Sequence, residues 1–121
     1  MSVGESFASA LARKDERALR ALLAPDVDFK GLTPRRLWEA SDPDGVLDVL
    51  LGNWFEPHDH IDGMVALDRG DDVEDVHRIG YRFDLSTPDG PRTVEQQAYY
   101  REQDERLHYL RIMCSGFRPK A

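Results

Sequence analysis

A single cysteine, Cys114, in 121 residues excludes an internal disulfide framework. No apolar run approaches the roughly 20 residues of a membrane-spanning helix, which excludes a helical membrane anchor within the sequence. Lysine is sparse beside arginine, the arginines are interleaved with acids, and the formal net charge is -7. Those features exclude the clustered cationic surface from which nucleic-acid binding draws most of its affinity. Repeats, low-complexity tracts and linker-like stretches are missing too, so one domain over residues 1–121 is expected. A chain of this length buries about two-thirds of the surface its unfolded form exposes. The stretch MSVGESFASALARKDER meets charge too early for a secretion signal, and a cytoplasmic location is expected.

What is present divides into a helical half and a strand half. Ser2 and Glu5 fit a capping box, followed by Phe7, Ala8, Leu11 and Ala12 at helical spacing. Asp15 is placed to cap a second helix striped by Leu19, Leu22 and Leu23, which Pro25 ends. VDFKGL (27–32) alternates as a short strand. Thr33 with Pro34 suggests a further turn of helix carrying Trp38. Asp42 with Pro43 opens the most apolar helix, Val46 to Trp54, which needs a broad partner.

The second half supplies that partner as long strands separated by turn signals. Three turns set expected registers. A three-residue loop at 70–72 puts Arg69 opposite Val73 and Ile61 opposite Tyr81. A type I turn with a glycine bulge at 88–90 puts Thr87 opposite Pro91 and Tyr81 opposite Gln97. A two-residue turn at Asp104 and Glu105 puts Tyr99 opposite Leu110, Gln97 opposite Ile112 and Glu95 opposite Cys114. One face then collects Val65, Leu67, Ile79, Tyr81, Phe83 and Leu85 with Thr93, Glu95, Gln97, Tyr99, Leu110, Ile112 and Cys114. The other face takes His60, Asp62, Arg78, Arg82, Asp84, Gln96, Tyr100, Tyr109 and Arg111, as a solvent or subunit surface would.

Glu95 and Gln97 stand out on that inner face. A buried carboxylate needs a partner, water or a ligand, so the pair suggests a cavity. In it Glu95 is the candidate catalytic acid or base, its pKa raised by desolvation. Gln97 and Tyr81 would orient a polar group, while Trp38, Trp54, Phe83, Tyr99, Ile112 and Cys114 would line the space. The plainer alternative places Glu95 at the sheet rim or against Arg35 or Arg36, leaves the aromatics in the core and makes Cys114 an inert small hydrophobe.

NWFEPHDHID (53–62) raises the question of a metal. Under the expected register His60 lies outside and His77 inside, roughly 16 Å apart, too far to share an ion. Glu56 and Asp59 read as loop acids, so the segment is taken as a helix end, a turn at Pro57 and a strand start, with no metal. Arg82 and Asp84 form an R-x-D on one strand, but facing outward.

Taken together, two helices (FASALARKDERALRALLAPDVDF), an apolar third (VLDVLLGNWF) and long strands ending in YLRIMCSGFRP resemble the NTF2-like superfamily, in particular its SnoaL-like branch. The resemblance runs from about Phe7 to Phe117, with LLAPDVDF its most typical local feature. It implies an α+β cone, in which N-terminal helices pack on a curved antiparallel sheet and enclose a pocket. It also implies homodimers through the outer sheet face, and pocket uses from isomerisation, cyclisation and epoxide hydrolysis to binding alone. The tyrosine that ketosteroid isomerases use as a donor has no counterpart in the first helices, and the Asp, Arg, Asp set of the epoxide hydrolases is matched only by the outward Arg82 and Asp84. The leading expectation is a small, largely apolar ligand bound in the cone pocket, with no demonstrated reaction and without a cofactor. The second is a cofactor-independent isomerase, cyclase or hydrolase acting through Glu95. The third is a protein-interaction module using Tyr100, Tyr109 and Met113 on the outer face.

Overall fold

The computed structural model describes residues 1–120. Helix α1, Val3–Ala12, starts where expected: Ser2 Oγ accepts from Glu5 N and Glu5 Oε1 accepts from Ser2 N, both at 3.1 Å. Helix α2, Glu16–Leu22, is capped by the Asp15 carboxylate, which accepts from Ala18 N at 3.0 Å. These two helices bury Phe7, Leu11 and Leu19.

Strand β1, Leu23–Thr33, begins directly after α2 and earlier than the alternation suggested. Pro25 falls in its irregular part, where the pairing shifts between Leu23 and Asp28. A residue with no N–H is tolerated at such an interruption. The expected helical turn around Trp38 is instead β2, Arg36–Ala40, paired antiparallel to β1 with Trp38 opposite Gly31. Pro34 and Arg35 make the tight turn between them, with Arg35 at φ 74°. The free edge of β1 takes β2 as its partner, which outweighs the weak helix signal of a lone Thr-Pro.

Asp42 caps α3, Pro43–Leu47, accepting from Gly45 N at 2.7 Å. The chain continues as a π-helical turn, Asp48–Trp54, closed by Phe55 N donating to Leu50 O at 2.9 Å. Such widened turns are rare and cluster at functional sites. Here it carries Trp54.

The remaining strands are β3 (His60–Arg69), β4 (His77–Thr87), β5 (Gly90–Gln103), β6 (Arg106–Cys114) and β7 (Arg118–Pro119). The sheet order is β2-β1-β6-β5-β4-β3, with β7 also on β5. β1 runs parallel to β6, so the curved sheet is mixed rather than wholly antiparallel. No helix among the described residues is long and apolar enough to cross a membrane.

Register is where the sequence expectation fails, and the failure inverts β5. Thr87 pairs with Gly90, not Pro91, around a two-residue turn at Pro88 and Asp89. Tyr81 therefore faces Gln96, and Phe83 faces Val94. At the next hairpin the two-residue turn at Asp104 and Glu105 is present, both with positive φ, and Gln103 pairs with Arg106. A bulge then leaves His108 unpaired: Glu102 faces Leu107 but Arg101 faces Tyr109. Beyond it Tyr100, not Tyr99, faces Leu110. Both devices move β5 by one residue, and a one-residue slip exchanges the faces of a strand. Val94, Gln96, Ala98 and Tyr100 are buried, while Glu95, Gln97 and Tyr99 look outward. The 70–76 connection is also longer than expected: Arg69 pairs with Ile79, Ile61 pairs with Leu85, and Val65 is exposed.

Candidate functional site

A cavity of about 610 Å³ opens between the π-helical turn, the β1–β2 hairpin, the β4–β5 turn and the segment after β6. Trp38 from β2 and Trp54 from the π-helical turn form an aromatic corner, their rings 6.4 Å apart and edge to face. Trp54 packs so closely on β1 that a Cβ at Gly31 would meet its ring at 2.4 Å, which requires glycine there. Trp38 Nε1 donates to Thr33 Oγ1 at 2.9 Å, and the Arg36 guanidinium lies 3.5 Å from the Trp38 ring centroid.

The opposite wall comes from the chain after β6. Ser115 continues the pairing by donating its N–H to Glu95 O at 2.9 Å, and its hydroxyl accepts from Glu95 N at 3.0 Å. Gly116, at φ 75°, then redirects the backbone so that Phe117 packs on Phe55 at 5.7 Å before β7 rejoins β5. Cys114 and Phe117 thereby both face the cavity.

Gln96, 1% exposed, is the polar residue that the inverted strand delivers to this space. Its Oε1 accepts from Tyr81 Oη at 2.7 Å, and its Nε2 donates to Cys114 Sγ at 3.3 Å. Gly116 N donates to the same sulfur at 3.4 Å. Burial, and then the nearby Cys114, push the Tyr81 phenol well above its usual pKa, so it stays a donor. Across the corner the Trp54 indole is 8% exposed, and its Nε1 is the only buried side-chain nitrogen or oxygen among the described residues without a hydrogen-bond partner.

The rim carries charge. Asp59, only 6% exposed, accepts from Glu56 N at 3.3 Å, and His58 Nε2 lies 2.9 Å from Glu56 Oε2 and 3.7 Å from Asp59 Oδ1. The Lys14 ammonium donates to the carbonyl oxygens of Glu56 and Asp59, and desolvation lowers its pKa against the pull of Asp59. Ligand atoms of Glu56, His58 and Asp59 lie within 4.8 Å of one another, a set that matches a cation in donor type. Their mutual bonds and the adjacent ammonium account for the grouping as closure of a tight loop. His60 lies apart on β3, 3.7 Å from Asp62.

The sequence-derived site is therefore split. Trp38, Trp54 and Cys114 line the cavity. Tyr81 reaches it through Gln96, whereas Phe83 and Ile112 are fully buried core residues. Glu95, Gln97 and Tyr99 stand on the outer face. Glu95 accepts from Arg82 Nη2 at 2.9 Å and from Gln97 Nε2 at 3.3 Å, while Gln97 accepts from Arg78 Nη1 at 2.7 Å. The Arg82 bond first, and the Gln97 bond after it, hold the Glu95 carboxyl below its ordinary pKa, the reverse of the rise expected from burial. Tyr100, expected outside, is buried with its hydroxyl accepting from Gly4 N at 3.1 Å. Arg82 and Asp84 do face outward, Asp84 meeting Lys120 at 2.8 Å. Gln96 was overlooked, although the alternation of Val94, Gln96, Ala98 and Tyr100 is the more apolar of the two faces of β5.

The sequence matches no family model and no curated protein. Solved structures do resemble the chain. A candidate isomerase from Rhodopseudomonas palustris superposes with TM-score 0.73 at 16% identity, over 96% of this chain and 91% of that one. An LEH-like epoxide hydrolase from M. tuberculosis gives 0.68 at 13% identity, over 93% and 80%. A protein of ketosteroid isomerase-like fold from Catenulispora acidiphila, in complex with trimethylamine, gives 0.69 at 13% identity, over 93% and 85%. With three helices on a curved, open, seven-stranded sheet and these structural neighbours, the chain has the NTF2-like α+β cone fold.

Proposed function

We propose that this chain binds a small, largely apolar molecule in the cone pocket, in the manner of SnoaL-like binding domains and without a cofactor. The observation that carries this reading is the walled space of about 610 Å³ with two tryptophans on one side and a buried, oriented amide on the other. Ligand sites are typically of this size, mostly apolar, with few polar groups fixed in place. The complex of a protein of the same fold with trimethylamine supports small-molecule binding by this architecture. Removal of Glu95 to the outer face takes away the proton-transfer role that an isomerase, cyclase or hydrolase reading gave it.

The test is a thermal-unfolding screen with hydrophobic small molecules. A ligand at a hundred times its Kd adds about 2.7 kcal/mol of stability, a shift that is readily measured. An absence of any shift across ring ketones, terpenoids, polyketide fragments and fatty acids contradicts the proposal. The same reading includes a cytoplasmic location, and it includes no nucleic-acid partner, which the net charge of -7 supports. It also includes a homodimer through the outer sheet face, where Tyr99 and Met113 are 38% and 48% exposed and Leu32 lies beside Met113.

A further inference from the structure

Between β6 and β7 the chain follows β5 with one residue too many. Cys114 faces Gln96 and Ser115 bonds to Glu95, yet Arg118 already faces Thr93, so Gly116 and Phe117 together stand opposite the single Val94. Two residues against one, the first a glycine in the left-handed region at φ 75°, make a G1 β-bulge. Such bulges re-aim side chains and are over-represented beside active sites.

Parity shows what this bulge re-aims. Cys114 lies on the inner side opposite the buried Gln96, so in an unbroken strand residue 115 points out, residue 116 points in and residue 117 points out. The extra residue reverses the last of these. Phe117 lines the cavity and packs on Phe55 at 5.7 Å, while Arg118 beyond it is exposed. Phe55 packs in turn on Phe83 at 5.8 Å, and both of those rings are fully buried. Phe117 is thus the half-buried end of an aromatic file, and its ring stands between Phe55 and the cavity. The bulge glycine is held by space as well as by φ, because a Cβ there would meet Pro34 Cγ of the β1–β2 turn at 3.0 Å, tighter than ordinary contact.

We infer that Phe117 is the specificity-determining residue of the pocket, a stop that sets how far a ligand reaches along the sheet and selects compact apolar molecules over elongated ones, a selection that rests on the binding reading above. The bulge is what puts the ring in the way. With that ring trimmed, Phe55 becomes the new wall and the cavity deepens. An apolar space opened in this manner stays dry and accepts an apolar guest.

Two neutral probes with the same number of rings test this: 1-naphthol, whose rings are fused side by side, and 4-phenylphenol, whose rings stand end to end. In calorimetry on the wild-type protein 1-naphthol is expected to bind more tightly. Phe117→Ala is expected to raise the affinity for 4-phenylphenol relative to 1-naphthol by at least about tenfold, the worth of burying one further ring. Phe117→Leu, which keeps most of the bulk, should raise it by about threefold and decides the matter should the alanine variant unfold. In the wild type, intermolecular NOEs should join bound 4-phenylphenol to the Phe117 ring protons. An unchanged affinity ratio in the folded variants, or 4-phenylphenol binding the wild type more tightly than 1-naphthol, overturns the stop. If neither probe binds the wild type or a variant, the pocket reading itself fails and the stop falls with it.

Discussion

Gln96 joins three structural elements through one side chain, taking the Tyr81 hydroxyl from β4 and giving an N–H to Cys114 at the end of β6. Replacing it with leucine keeps the volume but strands the Tyr81 hydroxyl, which is 2% exposed. Gln96→Leu is therefore expected to cost about 1–3 kcal/mol in chemical denaturation. Adding Tyr81→Phe removes the stranded group, so the double variant should lose less than the sum of the single changes. Additive losses would show that the bond is not what holds the amide. Little of this was legible in the sequence at the level of single residues. Tyr81, Trp38, Trp54 and Cys114 announce themselves by type, but a glutamine between two other polar residues in EQQ does not. Which of them is buried depends on parity alone, and parity is set elsewhere in the chain.

At the scale of elements, local chemistry was read well and pairing was not. The capping box at Ser2, the Asp15 cap and the Asp42-Pro43 start are local signals, and each appears where its residues lie. Strand register accumulates error from turns and bulges: one residue at Pro88-Asp89 and one at His108 were enough to invert β5. The alternation inside β5 itself was the better guide, because burial acts on every second residue whereas a turn acts once. The inversion leaves a cross-strand pair, Arg82 with Glu95, on the outer face. Its pH dependence follows from the lowered Glu95 pKa. A carboxyl whose folded value lies below its ordinary 4.5 contributes stability that is present above pH 4.5 and lost as pH falls through the folded value. Glu95→Gln should thus lower stability near neutrality by at most about 1 kcal/mol, since the pair is half exposed. The difference from wild type should vanish in acid while ligand-induced stabilisation is untouched. A Glu95→Gln protein that loses ligand binding would restore this residue to the pocket.

For the whole molecule, curvature gives the sheet two different faces. The concave side, against α1, α2 and the π-helical turn, holds the cavity, and the outer side exposes a band in which Leu32, Met113 and Gln97 lie in successive strands. A homodimer through that band predicts a mass near twice 13.8 kDa in sedimentation, with Met113→Glu and Tyr99→Glu together giving monomers. A monomeric wild type at high concentration rules the dimer out. The division between the faces also decides where a ligand goes. Benzophenone irradiated on the protein inserts into whatever C–H bonds surround it, and fragment masses then locate the adducts residue by residue. Adducts on Trp38, Trp54, Cys114 and Phe117 are the expected result. Adducts confined to Tyr99 and Met113 would mean that the apolar outer surface, and not the cone, is what holds small molecules.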